Sequence, residues 1–115
     1  MKKIYHLSSC DTNRRILKEL APGPDVEIQD IKVKNIDAPV LDWIKEKVGS
    51  YEALFSKKAI KYRSLGLHEQ NLSEQDFRRW LLDEYTFLKR PFIIVGEEVF
   101  IGNDKKTLAA AAQLL

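Results

Sequence analysis

The stretch PFIIVGEEVFIG, residues 91–102, most narrows what this chain can fold into. It reads as two strands joined by a tight turn at Gly96-Glu97. A lone hairpin is marginal in water, so further strands are needed. The other end of the chain supplies them. Lys2–Leu7 reads as a short strand, and Asp11–Leu20 as a helix with Ile16, Leu17 and Leu20 on one face. Ala21-Pro22-Gly23-Pro24 ends that helix. Val26, Ile28 and Asp30 alternate with polar neighbours as a second strand, with Ile31 its outer limit. Strand, helix, strand is a parallel unit, and its functional turn lies at the C-terminal end of the first strand.

The middle of the chain reads as helical. Asp37 caps a helix with Val40, Leu41, Ile44 and Val48 inward, and Gly49 stops it. Ser50 caps a short helix carrying Tyr51, Leu54 and Phe55, and another short piece holds Ile60 and Tyr62. Ser73 with Asp76 resembles a capping box, with Asp where Glu is more usual. The helix that follows aligns Phe77, Trp80, Leu81, Glu84 and Leu88 until Pro91 ends it. Asn103 or Asp104 caps the last helix, with Leu108, Ala112 and Leu115 inward. The expected architecture is a single α/β domain over 1–115: β-α-β, a helical insert at about 37–89, a β-hairpin and a C-terminal helix. Helices are expected on both sides of the small sheet.

The 115 residues suffice for one compact domain with a core. A net charge of only +2 argues against direct nucleic-acid binding, which usually needs a strong basic field. The local clusters Arg14, Arg15, Lys18 and Lys57, Lys58, Lys61, Arg63 read as solvated helix faces. No apolar run is long enough for a membrane span, and no signal-peptide core follows MKKIYHL, so a cytoplasmic location is expected. One cysteine allows no internal disulfide and no cysteine-rich zinc site. His6 and His68 lack metal-ligand spacing, so no metal is expected.

That cysteine, Cys10, falls between the first strand and the first helix. Unpaired N–H groups and the positive end of the dipole at a helix N-terminus favour a thiolate there. Arg14, one turn on, adds positive charge, and Asp11 works against it. Free cysteine is also among the most buried residue types, so an inert buried thiol is the competing reading.

HLSSC at 6–10, Lys89-Arg90-Pro91, and the hairpin ending in Ile101-Gly102 together resemble the glutaredoxin-coupled arsenate reductase family, which includes the Spx regulators. The resemblance implies a thioredoxin-like fold. It makes Cys10 the catalytic nucleophile and His6 the residue that tunes it. It gives Arg90 an oxyanion or a glutathione carboxylate to hold, and makes Pro91 an active-site cis-proline. By its residues alone Pro91 is equally a helix stop. Two positions depart from the family pattern: Lys58, within Phe55–Ala59, replaces an arginine, and Asn103 replaces another. Lysine keeps the charge without the fork, and asparagine keeps neither. An anion pocket of Arg90, Lys58 and Asn103 puts arsenate itself in doubt. Asn13, three after Cys10, leaves no Cys-x-x-Cys pair.

The resemblance therefore implies a thiol-dependent oxidoreductase with no resident cofactor. Glutathione would be its co-substrate, and glutathione or glutaredoxin its partner. The alternatives are an Spx-like regulator that docks on RNA polymerase, or a thioredoxin-fold relative without chemistry.

Overall fold

The computed structural model describes residues 1–115. Two compact units emerge, one of residues 1–34 with 90–115, the other of residues 35–89.

The first unit holds strands β1 (Lys2–His6), β2 (Glu27–Asp30), β3 (Phe92–Val95) and β4 (Glu98–Ile101), and helices α1 (Asp11–Leu20) and α5 (Lys105–Leu114). The sheet order is β2-β1-β3-β4. β1 runs parallel to β2, with Ile4 beside Ile28 and His6 beside Asp30. It runs antiparallel to β3, with Ile4 beside Ile93 and Tyr5 beside Phe92. The β3–β4 hairpin closes through Gly96-Glu97, as its sequence suggests. Val95 pairs with Glu98 across a two-residue loop, and Gly96 takes φ 60°. Glycine at the first central position with positive φ is the requirement of a type II′ turn.

Period-two alternation sorts the sheet into two faces. Ile4 and Ile93 turn to one face and form a core with Val26 and Ala111. Leu17 and Leu20 of α1, and Leu108 and Leu115 at the C-terminal end, pack against it. Both α1 and α5 thus lie on this face. Tyr5 and Phe92 turn to the other and meet edge to face at 6.1 Å between ring centroids. Ile28 is 46% exposed, because β2 is an edge strand and its neighbour lies on one side only. One expectation needs correction. In α5 it is Ala111, not Ala112, that is buried. Of the two caps open to this helix, Asp104 is the one that forms, its Oδ2 accepting the Thr107 N–H at 3.1 Å.

The second unit holds α2 (Ala38–Val48), α3 (Ile60–Ser64) and α4 (Glu74–Asp83), with 3₁₀ turns at Glu52–Leu54, Leu67–Glu69 and Tyr85–Phe87. Asp37 caps α2 through the Val40 N–H, and Gly49 ends it at φ 101°. The capping box at Ser73 and Asp76 forms in both directions. Ser50 caps only a 3₁₀ turn, accepting the Ala53 N–H. α4 stops at Asp83, seven residues short of Arg90, so Leu88 does not continue its stripe. The reason is a competing pairing. Leu88 is extended and bridges Phe55, with Ser56 N–H to Phe87 C=O at 2.7 Å and Lys89 N–H to Leu54 C=O at 2.9 Å. Phe55 stacks on Phe87 at 4.6 Å and meets Phe77 edge to face at 5.1 Å, which gives that pairing its apolar reward. Ile60 is 86% exposed and contributes nothing to this core. No helix is long and apolar enough to cross a membrane.

Candidate functional site

The site begins where β1 leaves the sheet. Leu7-Ser8-Ser9-Cys10 closes a turn, with the Cys10 N–H donating to the Leu7 C=O at 3.1 Å. Cys10 is the N-cap residue of α1, extended at φ −97°, ψ 117°, and no side chain caps the helix. A thiol accepts more weakly than the oxygen of Ser or Asp, so the first-turn N–H groups are left for a thiolate or a bound anion. The thiol is half-buried.

Side chains pin this turn from three directions. Asn13 Oδ1 accepts the Leu7 N–H at 3.0 Å. Asp30 Oδ1, at the end of β2, accepts the Ser8 N–H at 3.3 Å and the Lys32 N–H at 3.1 Å. Arg14 donates to the Ser8 C=O and pairs with the Asp11 carboxylate. The Ser8 hydroxyl foremost, then the N–H groups of Lys32 and Ser8, hold the Asp30 carboxyl below the usual carboxylate range. That outweighs the opposing effect of burial.

His6 ends β1 beside Asp30, and its Nδ1 is buried. Arg14 does reach back to the Cys10 turn, but through the Ser8 carbonyl, and Asp11 offsets its charge. Arg90 and Pro91 lead into β3 where Phe92 pairs with Tyr5, so they share the sheet end from which the Cys10 turn departs. The Arg90–Pro91 peptide bond is cis. Arg90 is half-buried and Pro91 buried. The Pro91 C=O accepts the Gly102 N–H at 3.0 Å, which sets Asn103 next to this edge, exposed. The topology of the first unit thus collects Cys10, His6, Arg14, Arg90, Pro91 and Asn103. Lys58 belongs to the second unit, where it is exposed. Its neighbours Lys57 and Lys61 are tied to Glu52 at 2.7 Å and Glu84 at 2.6 Å.

Sequence reasoning missed Asn13 and Asp30 as parts of the site. Each has one legible signal. Asn13 interrupts the inward face of α1 with a polar residue, and Asp30 closes a strand that lies parallel to the one leading to Cys10. No group of His, Cys, Asp and Glu side chains is arranged to hold a metal ion.

A four-stranded mixed sheet with a cysteine at the N-cap of its first helix, and a cis-proline opening the hairpin, defines a thioredoxin-like thiol protein. The chain belongs to the ArsC family, whose model matches residues 5–111. It is similar to the structure of a possible arsenate reductase from Streptococcus mutans, at 28% identity and a TM-score of 0.69, covering 95% of this chain and 98% of that one. The structure of an arsenate reductase-related protein from Brucella melitensis matches at 24% identity and a TM-score of 0.73, over 95% and 92% of the two chains. An arsenate reductase from Vibrio cholerae matches at 17% identity and a TM-score of 0.77, over 99% and 97%. These last two speak to the fold alone. No curated protein matches the chain.

Proposed function

We propose that the chain is a thiol-dependent reductase that works through a mixed disulfide between Cys10 and glutathione. One observation carries the reading: Cys10 is the half-buried N-cap of a helix with no side-chain cap, on a turn whose backbone is pinned by Asn13, Asp30 and Arg14. Such a turn holds a nucleophile in place, and the open N–H groups of α1 favour negative charge on sulfur or on a bound oxyanion. Arg90, at the same sheet end, supplies a guanidinium suited to a carboxylate or oxyanion.

The exchange step is simple. The Cys10 thiolate attacks one sulfur of a glutathione-containing disulfide. The Cys10 S–S bond forms as the substrate S–S bond breaks, and its other half leaves as a thiolate. A second thiol, from glutathione or glutaredoxin, then attacks the mixed disulfide and returns Cys10 to the thiolate. With one cysteine in the chain, the resolving sulfur must come from outside. Arsenate is a poor fit to the reading, because Asn103 and Lys58 stand where the family pattern has arginines.

Mass spectrometry after treatment with oxidised glutathione tests the reading. A single glutathione adduct on Cys10, removed by glutathione with glutaredoxin, supports it. A thiol that stays unmodified while exposed control thiols react sinks it.

A further inference from the structure

Asn13 is the one polar residue that the chain buries, with 2% of its surface exposed. It stands in α1 three residues after Cys10, one helical turn on. A buried amide is costly unless it is hydrogen-bonded, and asparagine is a poor helix former. Packing alone would be served better by an apolar residue, as Ile16 shows on the next turn. The bond that Asn13 makes accounts for its presence. Its Oδ1 accepts the Leu7 N–H at 3.0 Å, and the Leu7 C=O in turn accepts the Cys10 N–H at 3.1 Å. Both polar groups of Leu7 are therefore committed, one to Asn13 and one to Cys10. Together with the first turn of α1 these bonds close a ring that contains the nucleophile. Arg14 holds the same turn from the solvent side, where it is half exposed and shared with Asp11. Asn13 is the inner clamp.

We infer that Asn13 is a positioning residue for Cys10: its side-chain amide sets the Leu7–Cys10 turn and so aims the thiolate at an incoming disulfide. The inference rests on the disulfide-exchange reading above and deepens it. Exchange needs the attacking sulfur lined up with the bond being broken, and small misplacements of a reacting group are expensive. A small alkylating reagent makes a weaker demand on aim, so the two reactions separate aim from access.

The test compares the full chain with Asn13→Ala and Asn13→Asp at about pH 10, above the ordinary thiol range of about 8.5. Rates are read with oxidised glutathione and with iodoacetamide. Asn13→Ala lowers the glutathione rate relative to the iodoacetamide rate by on the order of ten- to a hundredfold. Asn13→Asp keeps the acceptor oxygen and so keeps Leu7 protected, while its added charge repels the anionic glutathione disulfide and leaves its ratio out of the comparison. Amide exchange at Leu7 is fast in the alanine variant and protected in the other two. A folded alanine variant with an unchanged ratio overturns the inference, as does one whose ratio falls while its Leu7 amide stays protected. If the alanine variant does not fold, Asn13→Ser, too short to reach Leu7, carries the same expectation. A wild type that is alkylated but takes up no glutathione overturns the exchange reading instead, with Leu7 still protected.

Discussion

The Asp30 carboxylate, at the C-terminal end of β2, accepts the N–H of Ser8 at 3.3 Å from across the parallel pair. A side chain on one strand thus anchors the turn that follows the strand beside it. The turn carries Cys10 two residues later, so β2 serves the site as well as the sheet.

Replacing Asp30 by Ala removes the acceptor for both Ser8 and Lys32. The cost is about 1 kcal/mol of stability, the usual net worth of such bonds. Amide exchange at Ser8 and Lys32 accelerates while Ile4, at the centre of the sheet, stays protected. Uniform acceleration across β1 instead would show that Asp30 supports the sheet and not the turn.

The Asp42–Arg78 pair gives the second unit a dependence on acid. Asp42 accepts Nε and Nη2 of Arg78 at 2.9 and 3.1 Å and the Tyr51 hydroxyl at 2.6 Å. Arg78 foremost, then Tyr51, holds its carboxyl down at about 2. The folded value lies below the unfolded one of about 3.9, so the contribution is fully present above that pH and lost as pH falls toward about 2. Both side chains are partly solvated, so the contribution is small. Denaturant unfolding of wild type and Asp42→Ala shows that gap at neutral pH and closes it near the bottom of the range. A gap that persists at low pH would mean the loss is packing against Tyr51.

Cys10→Ser abolishes glutathione uptake, and no condition yields an internal disulfide, since no second cysteine exists. Non-reducing electrophoresis of oxidised protein shows monomer, glutathione adduct or an intermolecular dimer, and only the monomer when Cys10 is replaced. Arg90→Ala leaves the fold intact and weakens capture of glutathione, seen as a higher concentration for half-maximal adduct formation. An unchanged concentration dependence would remove Arg90 from the anion site.

Arsenate offers a sharper contrast. A thiolate attacking a compact dianion needs fixed cations at the charge that develops. One charged donor of this type is worth about 2–4 kcal/mol, or roughly thirty- to a thousandfold in rate. Glutathione- and glutaredoxin-coupled arsenate reduction by the wild type is slow, and Asn103→Arg raises it. Efficient turnover by the wild type that survives Arg90→Ala would show that the anion sits elsewhere.

Local chemistry made much of this molecule legible before any coordinates. Proline and glycine stops bounded α1 and α2, capping residues at Asp37 and Ser73 started helices, and Gly96 supplied the positive φ of the hairpin. Each is decided by residues a few positions apart. The same locality placed Cys10 at a helix N-terminus. The errors lie where distant partners intervene. Helix periodicity ran on through Leu88, but Phe55, more than thirty residues earlier, drew that segment into an extended pairing. Alternation alone cannot tell an edge strand from a central one, so the 46% exposure of Ile28 was not legible in the sequence.

What the sequence alone determined is the place of Cys10, the helix that follows it and the order of elements, because capping, turn and period rules act within one or two turns. Only the tertiary structure decided what holds the Cys10 turn. Asn13 looked like the mere absence of a second cysteine, and Asp30 like the tail of a strand. Their roles exist because β1 and β2 lie side by side and α1 folds back over its own entry turn. Unpaired N–H groups at the end of β1 need acceptors, and only the packed chain brings the two oxygens to them.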